Sequence, residues 1–146
     1  MTAPTVKAIS SRDNPLLVRV RKLGRDPVAY RKLGELWIEG DHLCQAFLQR
    51  GGVPLHAVVS EPAWATPLRD LALRAASVTV LPEALMAGVS ALESPAPIGF
   101  VVSWHGAAAL LPDAPTVVLD RLQDAGNVGT VLRSASAFGF KQVVAL

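Results

Sequence analysis

The sequence predicts an α/β fold, and two observations predict it. Through the front of the chain, short apolar runs of strand type alternate with stretches whose apolar residues recur at helical spacing. The last stretch, Val117 to Leu146, then reads as strand, loop, helix, strand. A unit of that length implies parallel strands joined by a right-handed crossover. The composition is 51% apolar, enough for a real core beneath such a sheet.

Each element has a local signal. Asn14-Pro15 starts the first helix, as a cap followed by proline at the first helical position. Leu16, Leu17, Val20 and Leu23 form its apolar stripe, Gly24 ends it, and Arg19 and Lys22 lie away from the stripe. Leu36 to Ile38 reads as a short strand. Gly40-Asp41 turns into a helix carrying Leu43, Ala46, Phe47 and Arg50, closed by Gly51-Gly52. His56 to Ser60 is the next strand, and Thr66-Pro67 caps and starts a helix through Ala76. Val78 to Leu81 is a strand, Pro82 to Ala87 a short helix, and Ile98 to Trp104 a strand. Gly106 to Pro115, rich in alanine and proline, is the expected linker. The expected organisation is therefore a domain over 1–105, a linker over 106–115 and a second domain beginning at 116.

In the final unit, Val117 to Leu119 is a strand ending at Asp120. Val128, Val131, Leu132, Ala135 and Phe138 then mark one helix face, with Asn127 placed to cap it and Gly139 placed to end it. Ligands of open parallel sheets bind beyond the carboxyl ends of the strands. A helix start adds unpaired amides and a positive dipole end. Gly126 and Gly129 permit close approach, and Arg133 shares the less apolar face with Thr130 and Ser134. The common nucleotide fingerprints, G-x-G-x-x-G and G-x4-G-K-[ST], are absent. On these residues alone, a ligand loop and a plain helix cap with a surface arginine remain equally open.

Charge is uneven. Residues 1–34 hold eight basic side chains (Lys7, Arg12, Arg19, Arg21, Lys22, Arg25, Arg31, Lys32) against Asp13 and Asp26, although the whole chain carries only +2. A basic front on a mildly acidic remainder suits a polyanion such as RNA, or is simply a solvated helix face. The start of the chain shows no secretory signal pattern. The uncharged window Ser94 to Pro112 is broken by proline and glycine, so it is no membrane span. Cys44 is the only cysteine, which excludes an internal disulfide and suits the cytoplasm. It sits in a helical pattern as a core residue rather than a nucleophile. His42, His56 and His105 have no metal-site spacing, and no metal is expected.

The segment LDRLQDAGNVGTVLRSASAFG resembles the first signature motif of the SpoU/TrmH-type RNA 2′-O-ribose methyltransferases, of the SPOUT class. Asp120, Asp124, Asn127, Gly129, Arg133, Ala135 and Gly139 fall in its register; Ala125 stands where the family usually has proline. Ile9 to Pro15, Arg31, Trp37 to Gly40 and Pro97 to Gly99 resemble the family's small N-terminal substrate-binding domain, similar in fold to ribosomal protein L30e. The resemblance thus implies an L30e-like α/β sandwich followed by the first β-α-β unit of a SPOUT knot. It implies methyl transfer from S-adenosylmethionine to a ribose 2′-hydroxyl, with ribosomal RNA favoured over transfer RNA.

It also assigns residues. Arg133 takes the central catalytic role and Asn127 shapes the site, within a loop that includes Asp124, Gly126 and Gly129. Arg12, Asn14 and Arg31 are carried over as RNA contacts, and Arg19 and Lys22 are expected to join them. Glu39 and Gly40 are expected to shape a strand-to-helix turn. The family binds its cofactor through two later motifs in the knot, so the S-adenosylmethionine site is expected beyond Leu146. Homodimerisation is expected where the knot is present, and the 146-residue chain alone is expected to be inactive. The other reading is an L30e-like RNA-binding module without catalysis, which has no need of the motif around Arg133.

Overall fold

The computed structural model describes residues 4–90 and 92–146. The chain divides into two compact units, Met1–Gly106 and Ala107–Leu146. In order, the first holds β1 (Thr5–Ala8), α1 (Pro15–Arg25), α2 (Ala29–Leu33), β2 (Glu35–Glu39), α3 (Asp41–Gln49), β3 (His56–Ser60), α4 (Glu61–Trp64), α5 (Leu68–Ala72), β4 (Ser77–Leu81), α6 (Glu83–Val89) and β5 (Ile98–Ser103). Its five strands run β1-β4-β3-β5-β2. β1, β4 and β3 are parallel, while β5 is antiparallel to both β3 and β2.

The period-two alternation of the strands sorts the core onto two faces. Ala57, Val59, Val78, Val80, Ile98, Phe100 and Val102 pack with Cys44 of α3, Ala63 of α4 and Ala72 of α5. Val58, Leu81 and Val101 pack with Leu17 and Val20 of α1 and Met86 and Val89 of α6. Helices therefore cover both faces of a mixed sheet, the α/β architecture the alternating pattern predicts.

Local chemistry explains the starts. Asn14 Oδ1 accepts the Leu16 amide at 2.9 Å, with proline in the first turn. α1 does not stop at Gly24, as expected; it runs to Arg25 and ends at Asp26, whose amide still bonds the Lys22 carbonyl. In α3, Cys44 is fully buried, the core place expected of it, while Leu43 is 52% exposed. The expected helix from Thr66 through Ala76 is shorter and is preceded by α4, a single turn capped by Ser60.

Gly99 is required by packing. A Cβ there would lie 2.3 Å from the Trp37 ring and 2.9 Å from the Ile38 carbonyl oxygen. The Trp37 indole donates to Glu39 at 3.2 Å, and Glu39 also accepts from the Ser90 hydroxyl and, at 3.2 Å, from the Ala96 amide. Gly40 follows at φ +106 and heads α3. Glu39 and Gly40 thus fasten the end of β2 to the segment that leads into β5.

Burial, reinforced by the nearby Asp41 carboxylate, pushes the Cys44 thiol up to about 12. Only the thiolate reacts readily with disulfide reagents. In the native chain Cys44 is expected to resist such a reagent at about pH 8 and to react fully once denaturant unfolds the chain. Rapid native labelling would contradict its place in the core.

The second unit contains β6 (Thr116–Leu119), α7 (Ala125–Ala137) and β7 (Gln142–Ala145). β6 and β7 pair in parallel from Thr116↔Gln142 to Leu119↔Ala145. α7 ends in a Schellman turn: Phe140 N–H reaches the Ala135 carbonyl, Gly139 N–H the Ser136 carbonyl, and Gly139 sits at φ +77. Gln142 ties residues 107–115 to this unit, its Oε1 accepting the Leu111 amide at 2.7 Å. Leu119 and Ala135 are buried, but Val118, Leu132, Phe138 and Val143 are exposed, Phe138 by 82%.

Candidate functional site

The motif loop lies where β6 gives way to α7. Asp120 pairs with Arg121 at 3.0 Å, and Arg121 adopts φ +51, a left-handed conformation costly for any residue with a Cβ. Such outliers collect at functional loops. The cap of α7 is Asp124, not Asn127 as expected: Asp124 Oδ1 accepts the Asn127 amide at 2.6 Å, and its carbonyl accepts from Val128. Both residue types cap well, but a carboxylate also complements the positive end of the helix dipole. The helix therefore begins two residues before Asn127, which lies in its first turn. Ala125 and Gly126 precede the first intrahelical bond, so their amides lack an intrahelical partner.

Arg133 folds back toward this helix start. Its Nη2 donates to Thr130 Oγ1 at 3.2 Å, while Thr130 itself donates to the Gly126 carbonyl at 2.9 Å. A Cβ on Gly129 would come within 3.2 Å of Arg133 Nη1. A side chain at 129 would thus crowd the resting place of the guanidinium by a few tenths of an ångström. Asp124, Gly126, Asn127, Gly129 and Arg133 come together within the first turns of α7, exposed or half-buried. A fork of donors beside a helix start can hold a phosphate or an oxyanion.

The front-end candidates belong to the first unit and do not form one cluster. Asn14 is committed to capping α1. Arg12 is exposed and lies 3.8 Å from Asp13, a loose surface pair. Arg19 is held 3.4 Å from Glu35 of β2, without the alignment of a hydrogen bond. Lys22 is exposed on α1. Arg31 of α2 bonds the Tyr30 hydroxyl at 3.0 Å and lies over its ring, and Tyr30 meets Trp104 edge-on at 4.9 Å.

Two arginines of the basic front gain a place that no motif marks. Arg21 and Arg25 line a groove between α1 and α6, and Arg12 joins them there. Their signal in the sequence is the spacing Leu17, Arg21, Arg25, one residue per turn along a single helix edge. Among the described residues, no group of three or more His, Cys, Asp or Glu side chains could hold a metal ion. No helix among them is long and apolar enough to cross a membrane.

No family model matches the chain. A curated relative, an uncharacterised tRNA/rRNA methyltransferase of Synechocystis, is 29% identical over 143 residues, covering 94% of this chain and 52% of the relative. An AdoMet-bound rRNA methyltransferase of Sinorhizobium meliloti superposes with a TM-score of 0.74 at 22% identity, over 96% of this chain and 54% of that one. An RNA 2′-O ribose methyltransferase superposes at 0.72 with 23% identity, over 95% and 55%. The SpoU methyltransferase AviRb of Streptomyces viridochromogenes, in complex with AdoMet, superposes at 0.74 with 18% identity, over 90% and 52%. The chain spans about half the length of the relatives it matches. The resemblance carried by the motif around Arg133 therefore agrees with the whole described fold, which is the fold that SpoU-type RNA methyltransferases adopt over about half of their length.

Proposed function

We propose that this chain is the RNA-recognition domain and first catalytic unit of a cytoplasmic methyltransferase that moves a methyl group from S-adenosylmethionine to a ribose 2′-hydroxyl of ribosomal RNA. The observation that carries this reading is the Arg133 guanidinium, laid along Gly129 and steadied by Thr130 at the start of α7. A pure binding module has no use for that arrangement.

A ribose hydroxyl is a poor nucleophile until its proton leaves as the new bond forms. Arginine side chains stay protonated in proteins, which makes a guanidinium a poor base. Arg133 instead clamps the phosphate beside the target ribose and steadies the oxygen as negative charge develops on it. Asn127, in the first turn of the same helix, shapes the approach to that oxygen.

The described residues do not fit the cofactor by themselves. The cavity of the second unit, about 470 Å³ between residues 107–111 and 141–145, is lined by alanine, leucine, valine, glutamine and backbone, and its one charged group is Lys141. A cation is a poor neighbour for a sulfonium centre, and no carboxylate is present there for ribose hydroxyls. We place the cofactor site outside these residues, and dimerisation with the part of the protein that holds it.

The test is transfer of labelled methyl from S-adenosylmethionine to unmodified ribosomal RNA by the longest product of the gene, set beside transfer RNA. Incorporation into ribosomal RNA is the expected result. Binding of RNA with no incorporation into either would favour the non-catalytic module.

A further inference from the structure

We propose that the groove between α1 and α6 is a seat for the RNA phosphodiester backbone, with Arg12, Arg21 and Arg25 as its anion-binding residues. The inference rests on the reading of the chain as an RNA-binding enzyme; Arg12 is already among the expected contacts, and the groove adds Arg21 and Arg25 and joins all three on one surface.

The groove holds about 330 Å³, with Leu17 and Leu85 among its apolar lining. Its three charged residues are all arginines, and among the described residues no carboxylate lines it. Two of the three guanidiniums are pre-positioned. Arg21 donates to the Arg12 carbonyl, which ties the approach to α1 onto the helix itself. Arg25 donates at 3.3 Å to the Gly88 carbonyl, in the last turn of α6, where a helix leaves carbonyls without partners and favours a cation. Neutral carbonyls orient these side chains without cancelling their charge. Each arginine keeps further N–H donors for a ligand, since a guanidinium carries five.

Three cations over a partly apolar lining, two of them bonded to backbone carbonyls, form the arrangement that a chain of phosphates rewards. Arg19 makes the contrast: it lies on the same helix but is already paired with Glu35. Arg12 also lies 3.8 Å from Asp13, but both side chains are exposed and the pair competes weakly with a phosphate. Within α1 the fold thus separates the paired Arg19 from Arg21 and Arg25, which line the groove.

The experiment measures fluorescence anisotropy of a labelled, mixed-sequence RNA hairpin with the 146-residue chain, across a salt series. Arg21→Gln combined with Arg25→Gln is expected to weaken binding about tenfold at about 0.1 M salt and to lower the salt slope by about 1 to 2. Arg69→Gln with Arg74→Gln removes equal charge elsewhere in the same unit and is expected to change binding less than about twofold. A second variant avoids touching the arginines. A Cβ on Gly88 meets nothing within 4 Å, so Gly88→Glu brings a carboxylate to the groove without crowding. It is expected to weaken RNA as the double variant does, while Gly88→Ala leaves it unchanged.

Equal losses in the two arginine pairs would overturn the proposal, because net charge alone would then explain them. RNA binding that is untouched by both the double variant and Gly88→Glu would overturn it too, while leaving the enzyme reading intact. Polyglutamate bound as tightly as RNA, with the same arginine dependence, would make the groove an acidic-chain site and also overturn it. Absence of RNA binding by the unaltered chain would defeat the broader reading along with this one.

Discussion

Replacing Arg133 with alanine in the full gene product is expected to lower kcat for methyl transfer by about 10²–10³-fold, the usual cost of removing one preorganised donor from a developing oxyanion. The cause is local. Arg133 is positioned by Thr130 at 3.2 Å beside the bare backbone of Gly129, and among the described residues no acidic side chain pairs with it to compete for the phosphate. Arg133→Lys separates two roles. A clamp predicts partial activity, weaker RNA binding and no steep rise with pH, since lysine keeps the charge but loses the fork. A general base predicts a nearly dead variant whose rate climbs sharply as the amine deprotonates. Gly129→Ala supplies an independent check. Alanine in a helix interior stabilises by about 0.5–1 kcal/mol relative to glycine. At this position its Cβ would press on the guanidinium at 3.2 Å and shift it. Higher stability with lower activity is therefore expected, and unchanged activity would mean that the resting position of Arg133 does not matter.

Phe100→Ala is expected to cost about 3–5 kcal/mol, a large share of the roughly 5–15 kcal/mol that holds a typical domain together. Phe100 is fully buried in β5, opposite Ala57 of β3 and Ile38 of β2, at the centre of the face covered by α3, α4 and α5. Its loss leaves a void between two layers that cannot easily collapse. Phe138→Ala removes the same ring from a position that is 82% exposed, and a change within about 0.5 kcal/mol is expected. Urea denaturation of the two variants measures the contrast. Similar losses at both positions would show that the core is not where the packing puts it.

Legibility in the sequence followed physical strength. β3, β4 and β5 are plain because strands covered on both faces read as unbroken apolar runs. α1 is plain because Asn14-Pro15 is a strong start signal, and Gly24 misleads because one glycine does not stop a helix whose stripe is already buried. β1 is hidden because all four of its residues are exposed, so no difference between its faces marks it. α4 is a single turn, too short for any period. At the candidate site, the residue set is legible from its spacing, but the division of labour is not. Asp124 and Asn127 both suit a cap, and only coordinates show which side-chain oxygen receives the amide. Arg21 and Arg25 count toward a basic front without revealing that α6 turns their edge of α1 into a groove.

The most direct measurement is where the methyl group lands. The full gene product would be incubated with labelled S-adenosylmethionine and unmodified ribosomal RNA, and the RNA digested with alkali. A 2′-O-methyl group blocks cleavage at its own nucleotide, so label is expected in an alkali-resistant dinucleotide and is expected to vanish with Arg133→Ala. Label in single nucleotides would mean methylation of a base, and would contradict the role of Arg133 as a phosphate clamp beside the target ribose.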